Sequence, residues 1–108
     1  MVIQINKWEI WSAEYRYEDD PSVTKRRPVL VIDDNCVFPI LIAKITSSPP
    51  REGYFGEYPI KFWREAGLQK ESTVRLSKVL NAEERDLKCK IGRLHPYDIM
   101  QIERIMLD

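Results

Sequence analysis

The sequence predicts an α+β domain that is mainly β: a small, strongly bent antiparallel sheet or barrel, with short helices inserted late and an amphipathic helix at the end. Three observations carry this expectation. Strand-like runs follow one another through the first half with turns between them, which excludes alternating βαβ units. Helix signals appear only in the second half, and most are short. The segment opening at His95-Pro96 carries Ile99, Met100, Ile102, Ile105, Met106 and Leu107 as one broad apolar stripe.

A chain of 108 residues is expected to form a single domain over 1–108. A domain of this size buries roughly 65% of its unfolded surface, enough for a core without staples. With 44% hydrophobic and 31% charged residues the mixture is globular rather than disordered. Lys+Arg and Asp+Glu are both 17, so any anion-binding face must come from an uneven distribution of charge. Cys36 and Cys89 match no CxxC or zinc spacing and are expected to be free thiols in a reducing cytosol. One His and no paired ligand motif give no expectation of a metal or cofactor. No stretch approaches the roughly 18 apolar residues of a membrane span, nor is there a secretory leader pattern, so a soluble, cytoplasmic protein is expected.

The first element is a half-buried strand over Glu9 to Tyr17, with Trp11, Ala13, Tyr15 and Tyr17 on one face and Ile10, Ser12, Glu14 and Arg16 on the other. Glu18-Asp19-Asp20-Pro21-Ser22 is a polar loop that delivers the chain to Thr24-Lys-Arg-Arg-Pro-Val-Leu-Val-Ile32. Within that stretch Val29 to Ile32 has the composition of a strand buried on both faces. A buried strand is a rigid mount, and Arg27 sits where it meets solvent, biased to an extended conformation by Pro28. Asp33-Asp34-Asn35 turns the chain into a third run, whose Pro39 makes Ile40 to Ile45 the strand proper. Residues 49 to 57, with two prolines and two glycines, form the longest loop.

Tyr58 to Phe62 is a short strand candidate, and Trp63 to Leu68 a helical turn closed by Gly67. Ser72 to Leu80 alternates again as a strand. Asn81, with Glu84 three positions on, is placed to cap a short helix. Lys88 to Leu94 is the last strand.

Four features in this order resemble the PemK/MazF family of toxins from bacterial toxin–antitoxin pairs. They are Ile10-Trp11, Arg27-Pro28-Val29-Leu30-Val31, Ile45-Thr46-Ser47, and Gly67-Leu68 ahead of Ser72 with Ile91-Gly92-Arg93-Leu94 near the end. The resemblance covers nearly the whole chain. It implies an SH3-like, CcdB/PemK-like barrel, a homodimer, a cognate antitoxin as partner, and metal-independent cleavage of single-stranded mRNA.

Cleavage without metal needs a base for the attacking 2′-OH, an acid for the departing 5′-oxygen, and donors for the charged phosphoryl oxygens. Arg27 suits the donor role, its planar fork being matched to phosphate, and the resemblance implies that it is catalytic. A surface ion pair with the acidic loop is the plain alternative for it. Thr46 matches the family's hydroxyl at the end of the following strand, and it could equally close a turn. Ser47 is a second hydroxyl there.

For the acidic partner Asp20 is the first choice and Asp19 the next, in a loop that departs from better-known members. Arg75 matches a basic residue of some members, and Ser77 stands where those members carry an aspartate. Lys25, Arg26 and Arg75 are candidate contacts to the RNA backbone, and such contacts make binding salt-dependent. Trp11, Tyr15 and Tyr17 belong to the core or stack on bases. His95 marks a helix boundary. Two other functions fit a barrel of this kind: a CcdB-like toxin that binds DNA gyrase, and a non-catalytic module that binds RNA or a protein.

Overall fold

The computed structural model describes residues 4–16, 24–33 and 40–107. Six antiparallel strands form one sheet: β1 (Glu9–Arg16), β2 (Thr24–Asp33), β3 (Ile40–Thr46), β4 (Glu57–Pro59), β5 (Thr73–Ala82) and β6 (Leu87–Arg93). Their order is β4-β5-β3-β2-β1-β6, so β2 and β3 lie at the centre and the sheet does not close. The one α-helix among the described residues, α1 (Pro96–Leu107), follows β6. The mainly β class and the terminal helix are as expected, while the barrel alternative gives way to an open, bent sheet.

Bulges bend the sheet. The register slips between Ile10 and Trp11, between Val31 and Asp33, and most strongly between Ala43 and Lys44. In the last case Ala43 faces Val79 and Lys44 faces Arg75, so Leu76 to Lys78 are extra residues in β5. Such insertions re-aim a strand and increase its local twist.

Both faces of the central strands are covered. Leu30 and Ile32 belong to one apolar cluster with Ile10, Ala43, Ile45, Val74 and Ile102. Val29 and Val31 belong to another with Trp11, Ala13, Ile42 and Leu87. This is the two-sided burial expected of Val29 to Ile32. β1 is more buried than expected, because its opposite faces serve different clusters: Ile10 is fully buried, and so, very nearly, are Trp11 and Ala13. Trp11 is therefore a core residue. The side chain of Tyr15, and Tyr17, Cys36 and Pro39 altogether, lie outside the described residues.

Two local expectations are corrected. The strand placed at Tyr58 to Phe62 is Glu57–Pro59, because the amides of Lys61 and Phe62 turn away to a buried carboxylate, Asp98. Asn81 does not cap a helix: it pairs with Leu41 inside β5. The short helix is a 3₁₀ turn, Glu84–Asp86, capped by Glu83 with Asp86 closing a capping box. The turn before Gly67 is as expected, with Ala66 N donating to Phe62 O at 3.1 Å and Leu68 N to Trp63 O at 3.0 Å. His95 sits at the start of α1, where its Nδ1 accepts the Tyr97 amide at 3.0 Å and its ring stacks on Phe62.

Two glycines lock the 61–70 segment onto β6. Gly67 has φ +96, open to glycine at little cost, and a Cβ there would come 2.6 Å from Ile91 O. A Cβ on Gly92 would fall 2.0 Å from Ala66 O. The pair therefore allows backbone to lie on backbone. This contact sets one wall of the cleft described below.

Glu9, 3% exposed, ties the start of β1 to its surroundings. Its carboxylate accepts from Asn6 N at 2.8 Å, from Trp11 Nε1 at 3.0 Å and from Lys90 Nζ at 2.8 Å. Burial by itself would push this carboxyl up, but the hydrogen bonds from Lys90, Asn6 and Trp11 outweigh it and bring the pKa down to about 2 from 4.5. The folded pKa lies below the unfolded one, so the stabilisation is complete above the unfolded value and is lost as pH falls towards the folded one. A gap of this size corresponds to about 3 kcal/mol. At pH 3 the folded carboxyl is still mostly ionised, so urea titrations at neutral pH and near pH 3 should differ by about 2 kcal/mol more in the wild type than in Glu9→Gln. Parallel pH profiles for the two proteins would refute the assignment.

Candidate functional site

Arg27 is mounted as the sequence suggests. β2 pairs with β1 from Thr24 to Leu30, with Pro28 opposite Ser12 and Arg27 opposite Ala13. On its other side the ladder to β3 stops at Val29–Lys44. A proline is tolerated at position 28 because no pairing with β3 is required there. Beyond that point the ends of β2 and β3 are no longer bonded to each other, and a cleft opens between them.

The cleft has a volume of about 680 Å³. Arg26, Arg27 and Pro28 line it from β2, and Lys44 to Ser48 from β3 and its continuation. Gly67 to Lys70 form the opposing wall, with Ser12, Ser72, Arg75 and Ile91 completing the lining. Among the described residues five lining side chains are cationic (Arg26, Arg27, Lys44, Lys70 and Arg75) and none is acidic. In a chain with no net charge, that is a concentrated positive field in a concave site, where field lines focus.

The lining residues differ in how they are held. Thr46, paired with Thr73 at the end of β3, accepts the Ser48 amide on its Oγ1 at 3.2 Å. The hydroxyl thus closes a turn, and the turn orients its proton for donation to another oxygen. Arg26 is 3.7 Å from Glu14 on β1, an exposed pair of little energetic weight. Arg75 lies opposite Lys44 on one side and Glu57 on the other. The Glu57 side chain is only 1% exposed, and it accepts Arg51 N at 2.8 Å and Arg51 Nε at 2.9 Å.

Those hydrogen bonds hold the Glu57 carboxyl below its usual range. Arg75 Nε lies 3.6 Å from Glu57, too far for a hydrogen bond, and it is buried with no acceptor among the described residues. Glu57 therefore steadies Arg75 by charge without saturating its fork.

Arg27, Arg26, Thr46, Ser47 and Arg75, singled out from sequence, come together in this one cleft. Ser77 does not join them: it is exposed in the β5 bulge, outside the lining. Asp20 and the side chain of Lys25 lie outside the described residues, although the Lys25 backbone pairs with Tyr15. Lys44 and Lys70 were not foreseen. Lys44 is the lone charge in the run Ile40–Thr46, and a cation interrupting an aliphatic strand is a signal that could have found it. Lys70 arrives through the Gly67–Gly92 contact, which no local pattern announces.

Residues 6–107 match the family described as PemK-like, MazF-like toxin of type II toxin-antitoxin system. A solved structure similar to this one is the Mycobacterium tuberculosis toxin MazF-mt6, with a TM-score of 0.68 and 22% sequence identity over 91% of each chain. At that identity the likeness speaks for the fold. Comparison with curated proteins gave no match.

Proposed function

Because the chain belongs to the PemK-like, MazF-like toxins of type II toxin–antitoxin systems, we propose that it is a metal-independent endoribonuclease that cuts single-stranded mRNA. The observation that carries this reading is the cleft itself, in which five cations and the Thr46 hydroxyl surround the end of β2. Such a lining suits a polyanion whose phosphates enter one by one.

In the proposed reaction the RNA supplies its own nucleophile. The 2′-oxygen attacks the adjacent phosphorus, its proton passing to a base. The bond from phosphorus to the 5′-oxygen breaks, and that oxygen leaves with a proton. The products are a 2′,3′-cyclic phosphate and a 5′-OH. Arg27 donates to the phosphoryl oxygens as charge builds on them and is the candidate proton source for the leaving oxygen. Thr46 donates its hydroxyl to the scissile phosphate. Arg26, Lys44, Lys70 and Arg75 hold the flanking phosphates, with Ser47 as a neutral donor beside them. Asp20, which precedes β2 in the sequence, is the proposed base. A cognate antitoxin, a homodimeric assembly and a cytoplasmic location complete the proposal.

End-mapping of RNA incubated with the protein in EDTA tests it. Fragments should carry 2′,3′-cyclic phosphate and 5′-OH ends. Intact RNA, or fragments with 3′-OH ends, would overturn the mechanism.

A further inference from the structure

Between β3 and β4 the chain exposes two aromatic rings side by side, Tyr54 at 57% and Phe55 at 77%. Gly53 and Gly56 bracket them with φ of +82 and +84, which lets the chain make a sharp tip. The root of the tip is fixed. Gly56 O accepts Leu76 N at 2.8 Å, and a Cβ on Gly56 would meet Ser77 N at 3.3 Å, so this glycine is docked on the β5 bulge. Nothing lies within 4 Å of a Cβ built on Gly53. The tip thus stands on a firm base with its rings outward.

A chain of charges joins that tip to the cleft. The Arg51 guanidinium lies 3.8 Å from the centre of the Tyr54 ring, a cation–π contact that fixes the ring's direction. Arg51 is bonded to Glu57, and Glu57 is paired with Arg75, which lines the cleft. On the other side the loop leaves directly from Ser47 and Ser48, which also line it. One root of the aromatic tip is therefore part of the cleft wall, and the other, at Glu57, pairs with a residue of that wall.

We propose that Tyr54 and Phe55 form a base-stacking subsite for single-stranded RNA, held beside the cationic cleft by the Arg51–Glu57–Arg75 chain. The proposal rests on the reading of the cleft as an RNA site and names the part that grips bases rather than phosphates. Exposed rings next to a positive groove are the two halves of a single-strand binding surface: the groove follows the backbone, and the rings offer faces to successive bases. An occupant that is itself aromatic and carries a phosphate on each unit satisfies both halves at once. Glu57 and Arg51 act here as positioning residues.

The test compares the full-length wild type with Tyr54→Ala/Phe55→Ala, using two probes that cannot be cut. One is a short, randomised 2′-O-methyl oligoribonucleotide, and the other is an abasic ribose-phosphate chain of equal length. The wild type should bind the base-bearing probe about 5- to 150-fold more tightly than the variant, the span expected for stacking one base. The two proteins should bind the abasic chain equally, and Phe55→Trp should restore the difference. Equal affinity of wild type and variant for the base-bearing probe would overturn the subsite, whether or not the rings then serve a protein partner. Neither probe depends on cleavage, so failure of the endoribonuclease mechanism would appear separately, as intact RNA in the end-mapping experiment.

Discussion

Replacing Arg27 with alanine is expected to slow RNA cleavage by about 10²–10³-fold or more, the usual effect of removing a donor aimed at developing charge. The fold should persist, since Arg27 is exposed and the buried part of β2 begins two residues later at Val29. The loss should fall mainly on the single-turnover rate at saturating RNA, because four other cations remain in the cleft to bind the backbone. Binding of a non-cleavable strand should weaken modestly, with its salt slope reduced by about 0.7, the contribution of one phosphate contact on a single strand.

Arg27→Lys separates charge from geometry. It keeps the cation and loses the planar fork, so it should restore binding more fully than rate. An alanine variant that cuts as fast as wild type would remove Arg27 from the mechanism. Equal losses of rate and affinity, both rescued by lysine, would make it a binding residue only.

Much of this architecture could be read from short-range pattern. Val29 to Ile32 is apolar at every position, and the structure gives it a cluster on each face. Gly67 closes a turn at positive φ, as its place after a helical run implies. The misplacements share one cause, which is that distant partners decide where a strand stops. β4 ends at Pro59 because Asp98, far along the chain, takes the next two free amides. β5 runs on through Asn81 because Ile40 and Leu41 are there to pair with it. No property of Asn81 itself reveals that.

The candidate site was legible where it rests on consecutive residues and obscure where it rests on folding back. Arg27 announces itself by standing before a proline and a buried strand, and Thr46 by ending the next one. That the two flank one opening depends on the β2–β3 ladder stopping at Val29–Lys44, a property of register. Arg75 enters the cleft only because three residues bulge out behind it. The aromatic tip was visible as a loop rich in glycine and proline, but its link to the cleft passes through Glu57, an acid buried by two arginines. Composition alone gives no reason to expect such an acid to be buried.

Loss of the Asp98 carboxylate should be the most damaging change to stability among the polar residues. Asp98 is fully buried in the first turn of α1. Its Oδ1 accepts the Lys61 amide at 2.9 Å and the Tyr58 hydroxyl, and its Oδ2 accepts the Phe62 amide at 2.9 Å. Burial and the neighbouring Asp98 charge push the Tyr58 phenol up, so it remains a donor throughout the neutral range. Asp98→Ala strands all three donors, each costing about 1–3 kcal/mol when buried unpaired.

Relaxation and water recover part of that, so a net loss of about 3–5 kcal/mol is expected. Against a domain stability of roughly 5–15 kcal/mol, the result would be marginal folding. Asp98→Asn should be nearly as harmful, because its amide group would face a backbone N–H that needs an acceptor. Tyr58→Phe removes one bond and should cost about 1 kcal/mol.

The order of these three variants in urea midpoints distinguishes a carboxylate that organises three donors from one that merely fills space, for which Asn would be tolerated. The consequence reaches the cleft. Asp98 fixes residues 58–62, which lead into the turn that ends at Gly67 and then into the Gly67–Lys70 wall. A variant mild enough to stay folded should therefore lose RNA binding before it loses secondary structure.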